Sequence, residues 1–212
     1  SQVRLEDVAT PEAFAQNLSR VQDFYNARRR QLATSNVESN AAYMALARLE
    51  RDWHARGEDT VTIATKNIDS LHEAGGSKTI FHMHGKLLRA RCLSCQEASP
   101  WSGDLCQGEA CPRYAQAGCL RPHAVWFGEI PLFYAGNSAA SAALHVVRLH
   151  WDIGHNVYPA ADFVQAVCAA GAHTIELNLD PSEAATVFHE AHYGPAAGLI
   201  PSFVDEILEN GI

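Results

Sequence analysis

"NVYPAADFVQAVCAAGAHTIELNLD", residues 156–180, holds two hydrophobic periodicities back to back. Its first half is alanine-rich and apolar at helical spacing, and it stops at Gly171, a residue suited to the left-handed position just past a helix end. Thr174–Leu179 then reads as a short apolar strand, and Asp180-Pro181-Ser182 as the start of another helix. A helix feeding directly into a buried strand, and that strand into a helix, predicts an α/β fold: a parallel sheet with helices on both faces.

The rest of the chain supports this reading. A helix is predicted from Pro11 to Gln31, where Phe14, Leu18, Val21, Phe24 and Tyr25 recur at helical spacing behind a Thr10-Pro11 start signal. A second helix is expected over Asn40–Arg56, with Ala42, Met44, Leu46 and Leu49 on its apolar side. Short strands are predicted at "TVTIAT" (60–65), near Thr79–Met83, and at "HAVWF" (123–127). With 212 residues and 47% hydrophobic content there is material for one domain core with a small module inserted. A net charge of −8 without a long basic run argues against a nucleic-acid partner. No apolar stretch is long enough for a membrane span, and the acidic first twenty residues are unlike a signal peptide, so a cytoplasmic location is the expectation.

Five of the six cysteines, Cys92, Cys95, Cys106, Cys111 and Cys119, crowd into 28 residues poor in apolar pattern. In a reducing compartment such a cluster holds metal more often than disulfides. Cys92-x2-Cys95 is a thiolate knuckle for half of a tetrahedral Zn²⁺, and Cys111, 16 positions on, has ribbon spacing for a third ligand. The fourth is Cys119 or Cys106, with Cys119 preferred. Four thiolates leave no open coordination position, so this zinc would be structural.

His82 and His84 would share one face of a strand over 79–83, since side chains alternate. A histidine beside a glycine at a strand end can face a cleft as a general base, although an isolated histidine is more often structural. Asn67 and Asp69 follow a predicted strand, where α/β folds bind ligands; Asp69 equally suits the N-cap of a helix starting at Ser70-Leu71.

Read in order, "NIDSLH" (67–72), "HMHG" (82–85), the Cys92-x2-Cys95 knuckle, "LRPHAVWFGE" (120–129), "VYPAA" (157–161), "ELNLDPS" (176–182) and "YGPA" (193–196) resemble the sirtuins, NAD-dependent protein deacylases, and most of all the bacterial branch that includes the desuccinylase type. The likeness extends from "EDVATPEAF" at residue 6 to the C-terminus. It implies a Rossmann-like domain and a zinc-ribbon module, divided as 1–90, 91–122 and 123–212. It implies His84 as the catalytic base and NAD and zinc as cofactors. The acyl group of a lysine would pass to ADP-ribose with release of nicotinamide, so the implied partners are acyl-lysine proteins or peptides. Asn67, Ile68 and Asp69 match the ribose and nicotinamide pocket; Asn178, Leu179 and Asp180 the adenosine ribose segment; Ala196 a residue near the adenine. Val125, Phe127, Gly128 and Glu129 match the strand that pairs with substrate backbone. Tyr25 and Arg28 match a Tyr-x-x-Arg pair that reads an acidic acyl chain, where a guanidinium fork and a phenol would grip a carboxylate.

Three features depart from the family pattern. The glycine-rich "GAGIS" segment that opens the family and cradles the NAD pyrophosphate has no counterpart, so these residues read as starting beyond it. Lys66 stands where the family has glutamine. Asp152, Ile153 and Gly154 stand where it has Gly-Thr-Ser, behind the polar stretch "ALHVVRLHWD". The alternative these raise is a relative with little or no activity that binds acyl-lysine peptides or serves as an interaction module.

Overall fold

The computed structural model describes residues 4–34, 37–58, 60–113, 115, 117–132, 168–169, 171–182 and 185–210. The positions of Asp152, Ile153 and Gly154, the stretch before them, and most of the helix expected ahead of Gly171 lie outside these residues. Two compact units share the chain, one made of Ser1–Glu38, Ile63–Leu71 and Ile80–Leu132, the other of Ser39–Thr62, His72–Thr79 and Phe133–Ile212.

The first unit opens with a 3₁₀ turn and helix α1 (Pro11–Gln16), whose N-cap Thr10 accepts the Ala13 amide at 3.0 Å ahead of the predicted proline start. The helix expected to reach Gln31 unbroken is interrupted at Asn17, whose side-chain oxygen accepts the Arg20 amide at 3.0 Å and starts α2 (Leu18–Thr34) anew. Strands β1 (Ile63–Thr65) and β2 (Ile80–His82) pair in parallel with Thr65 opposite His82. An antiparallel sheet β4-β3-β5 follows, from β3 (Gly85–Cys92), β4 (Ala98–Pro100) and β5 (Leu120–Ala124). The strand expected at 123–127 therefore ends at Ala124. Beyond it the Trp126 amide turns to the Glu129 carboxylate at 2.8 Å instead of continuing the ladder.

Two small cores hold this unit. Val21, Tyr25, Leu87, Ala124 and Trp126 pack α2 onto β3 and β5; Ala90, Cys92, Leu105, Cys111, Cys119 and Leu120 fill the cysteine module. The side-chain amide of Asn26 joins the two cores. It donates to the Leu105 carbonyl at 3.0 Å and accepts the Leu105 amide at 2.8 Å, while Arg29 donates to the Leu87 carbonyl at 2.8 Å and to Asn26 at 2.9 Å. All these groups are buried, so losing the Asn26 amide would strand two backbone groups at a cost of about 1–3 kcal/mol each.

In the second unit α3 (Ala41–Ala55) starts at Asn40, whose side-chain oxygen accepts the Ala42 amide at 3.0 Å, close to the predicted boundary. α4 (Leu71–Ala74) bridges from the loop after β1. β6 (Ile175–Asn178) and β7 (Glu190–Tyr193) pair in parallel, and α5 (Ala196–Asn210) follows. Ala42, Ala45 and Leu49 of α3, Ile175 and Leu177 of β6, and Ile200, Phe203, Val204 and Ile207 of α5 form one core. The helix expected from Asp180-Pro181-Ser182 is replaced, among the described residues, by a 3₁₀ turn at Ala185–Val187. The buried Glu176 carboxylate accepts the Ser182 amide at 3.3 Å, which pulls that segment onto β6. No helix of the described residues is long and apolar enough to cross a membrane.

Gly85 shows why "HMHG" must end in glycine. Its φ is +88°, and a Cβ there would lie 2.1 Å from the His123 carbonyl oxygen on the neighbouring strand. Both the left-handed backbone and the interstrand approach exclude a side chain. Gly85→Ala is expected to lower the unfolding free energy by about 3 kcal/mol or more, read from the midpoint of urea denaturation; a loss under about 0.5 kcal/mol would show that the strands can part without cost.

Candidate functional site

His84 lies one turn beyond β2, so the alternation argument for a shared face with His82 does not apply to it. His82 is buried on β2, and its Nδ1 meets the Asn67 carbonyl at 3.0 Å. His84 sits half-buried in the turn between β2 and β3. Backbone hydrogen bonds lace three segments around it. Val125 N–H donates to the His84 carbonyl at 2.8 Å, Met83 N–H to the Thr65 carbonyl at 2.8 Å, and Leu87 N–H to the Ile68 carbonyl at 2.6 Å. The histidine turn, the Asn67–Asp69 loop and the 125–129 segment therefore belong to one construction.

Asn67 is exposed, Ile68 packs against the Tyr25–Trp126 core, and the Asp69 side chain accepts the Leu71 amide at 3.0 Å. The capping reading of Asp69 is thus realised at the place where the ligand reading put it. Lys66 stands beside them on the same loop.

The 125–129 segment is held by an element that residue patterns alone did not single out. Arg121, 3% exposed, makes a two-pronged bond to Glu129 at 2.6 and 2.9 Å, donates to the Ala124 carbonyl at 2.7 Å, and stacks its guanidinium 3.4 Å over the Trp126 ring. Burial raises the Glu129 pKa, but the Arg121 guanidinium and the Trp126 amide outweigh it and hold the carboxyl below its ordinary value. Phe127, Gly128 and Ile130 stay exposed at the tip. The legible signal was an arginine and a glutamate eight residues apart around a tryptophan.

Tyr25 is 4% exposed, and its oxygen accepts the Trp126 indole N–H at 2.9 Å. Burial pushes its pKa up against the pull of Trp126, Arg121 and Arg28, so the phenol keeps its proton. Arg28, one turn on, lies exposed with its guanidinium 3.6 Å over the Phe24 ring.

In the cysteine module, Cys92 and Cys119 sulfurs lie 3.4 Å apart, Cys95 and Cys111 sulfurs 3.8 Å apart, and those of Cys92, Cys95 and Cys111 within 4.8 Å of one another. A tetrahedron with metal–sulfur bonds of about 2.3 Å has edges of about 3.8 Å, so Cys92, Cys95 and Cys111 can form three corners of a zinc site, with Cys119 beside Cys92 as the fourth candidate. The Cys95 amide aimed at its sulfur lowers the Cys92 pKa to about 6, as a ligand thiolate requires, whereas burial and the neighbouring Cys92 push Cys119 up. Cys106 is exposed.

Asn178, Leu179, Asp180 and Ala196 gather in the second unit. The Gly194 amide donates to the Asn178 carbonyl at 2.9 Å, which brings the loop after β6 to the start of α5, where Ala196 is the first residue. Leu179 and Asp180 are exposed. After β1 and after β6 alike, an amide and a carboxylate follow the C-terminal end of a parallel strand, a donor set suited to ribose hydroxyls.

The sequence profile described as the Sir2 family matches residues 1–153. The NAD-dependent protein deacylase of Salmonella typhimurium is 47% identical over 208 residues, which cover 97% of this chain and 74% of that one. The crystal structure of a Sir2 homologue–NAD complex superimposes with a TM-score of 0.83 at 26% identity, covering 100% of this chain and 80% of the other. The structure of Sir2Af2 bound to a myristoylated histone peptide gives 0.71 at 27% identity, covering 96% and 85%. Both likenesses bear out the α/β, Rossmann-like fold.

The Arg121–Glu129 pair has a pH signature. Because the folded carboxyl titrates below its unfolded value, its stabilisation is complete above the unfolded pKa, about 4.3, and is lost as pH falls through the lower folded value. Glu129→Gln should destabilise the protein at pH 7, and the gap between wild type and variant should narrow as pH drops below about 4, read by urea unfolding at stepped pH. A gap constant with pH would show that the pair carries no such linkage.

Proposed function

The chain belongs to the Sir2 family, and from that premise we propose that it removes acyl groups from lysine side chains with consumption of NAD. The observation that carries this reading is the hydrogen bond from Val125 to the His84 carbonyl. It ties the matched base to the matched peptide-binding segment and, through the Met83 and Leu87 bonds, to the Asn67–Asp69 loop. The alternative of an inactive peptide-binding relative has less support, since the similar proteins bear the name of an enzyme and both the base and its framework are retained.

When bound, NAD supplies the sugar carbon that is attacked, the nicotinamide that leaves, and the ribose hydroxyls that receive the acyl group. His84 serves as general base, taking the proton of a ribose hydroxyl onto its imidazole. Asn67 and Asp69 orient the nicotinamide-side ribose, and Asn178, Leu179, Asp180 and Ala196 receive the adenosine end. The N–H groups of Val125, Trp126 and Phe127 are already spent on His84, Glu129 and Ala9, which leaves the Val125 and Phe127 carbonyls and the Gly128 amide, among the described residues, for an acyl-lysine peptide backbone. Tyr25 and Arg28 lie three apart on α2, close to one turn of the helix. A phenol O–H and a guanidinium suit a terminal carboxylate, so succinyl-lysine and malonyl-lysine are the proposed substrates beside acetyl-lysine.

Cys92, Cys95, Cys111 and Cys119 hold a structural zinc. Purified protein should contain about one zinc per chain. Cys119→Ser should lose it and unfold at lower temperature, and Cys106→Ser should retain it, as measured by metal analysis and thermal melting. Metal retained by the first variant or lost by the second would reassign the fourth ligand.

For the chemistry, His84→Ala is expected to abolish turnover of acetyl- and succinyl-lysine peptides while leaving the circular dichroism spectrum intact, whereas Arg28→Met should cut desuccinylation at least about tenfold more than deacetylation. Residual turnover in the first would remove the base from its role. Equal losses in the second would dismiss the carboxylate clamp.

A further inference from the structure

The Tyr25 hydroxyl has one hydrogen-bond partner among the described residues, and that partner constrains more than its position. The Trp126 indole nitrogen can only donate, so at 2.9 Å the Tyr25 oxygen is the acceptor. A phenol O–H keeps close to the plane of its ring and has two favoured directions there. The indole N–H occupies the lone-pair region on one side and repels a proton pointing that way, so the Tyr25 proton is turned to the other side. Among the described residues no acceptor meets it there, although the side chain is buried.

Trp126 is fixed well enough to impose this choice. Its backbone amide is bound by Glu129, its ring is covered on one face by the Arg121 guanidinium at 3.4 Å, and the Phe14 ring packs at a centroid distance of 5.3 Å. It belongs at once to the peptide-binding segment and to the wall behind Tyr25. Arg121 and Arg28 both act on the phenol, as does the Glu129 carboxylate; Arg121 is already paired with Glu129, so Arg28, the helix neighbour, is the cation left to favour an anion as the missing acceptor.

We infer that Trp126 is a specificity-determining positioning residue: its indole N–H turns the Tyr25 proton toward the acyl chain, so that the phenol donates to a dicarboxylic acyl group's terminal carboxylate without first reorienting. The inference rests on the acyl reading proposed above for Tyr25 and Arg28. It adds a residue that touches neither the carboxylate nor the reacting atoms and acts through Tyr25 alone. An acetyl group has no atom at that place, so its turnover is blind to the proton's direction.

The test compares kcat/KM for succinyl-lysine and acetyl-lysine versions of one peptide. The proteins are the wild type, Trp126→Phe, Tyr25→Phe and the double variant, together with protein carrying benzothienylalanine at 126, which keeps the two-ring shape without the N–H and guards against misfolding of the phenylalanine variant. The expected result is a succinyl-to-acetyl ratio about tenfold lower in both position-126 proteins, and no further fall in the double variant beyond Tyr25→Phe alone. An unchanged ratio at 126, or a fall that persists in the Tyr25→Phe background, would overturn the role given to Trp126 while leaving the acyl reading in place. A wild type whose ratio is unmoved by Tyr25→Phe would instead take down the acyl reading and this inference with it.

Discussion

The site depends on the close approach of Gly85 to the His123 carbonyl. That contact brings the start of β3 against the end of β5, where Val125 of the 125–129 segment donates a backbone hydrogen bond to the His84 turn. A side chain at 85 would push the His84 turn and the 125–129 segment apart together. The proposed catalytic geometry thus rests first on backbone packing and only then on side chains. The Arg121–Glu129 pair then finishes the task, because a strand leaving that contact has to be turned and held open at its tip.

Helix α2 links the two cores of the first unit. Asn26 satisfies both backbone groups of Leu105 in the cysteine module, and Arg29 reaches the Leu87 carbonyl on β3. The same helix turns Tyr25 toward Trp126. A loop-rich module with few apolar side chains cannot hold itself together, so its metal and its fixture to α2 share that load.

Much of this was legible in the residues. The start signal at Thr10-Pro11, the helix over Asn40–Arg56, the short parallel strands and the spacing of Cys92, Cys95 and Cys111 are local signals, and the structure follows them. The misses have two causes. "HAVWF" has strand composition, but its second half is claimed by Glu129, which takes the Trp126 amide while paired with Arg121, and the chain turns there. "DPS" has helix-start chemistry, but a buried glutamate on the preceding strand takes the Ser182 amide. His82 and His84 look equivalent at spacing two, and only the strand's end at His82 separates a buried histidine from one at the site. The first two were decided by side-chain partners only three to eight residues away, and the third by where a strand stops; periodicity records neither. The family resemblance supplied what spacing could not, a reason to choose among histidines.

The arrangement of α2 also bears on how such proteins diverge. Tyr25 and Arg28 occupy one row of the helix; Asn26 and Arg29, each the next residue along, occupy the adjacent row and carry the architecture. Positions one apart point about 100° away from each other around a helix, so the exposed Arg28 can change without disturbing Asn26 and Arg29, whereas Tyr25 is itself part of the core against Trp126. The adjacency that looks redundant in "YNARRR" separates an exposed arginine, Arg28, that is free to drift from a buried one, Arg29, that is not.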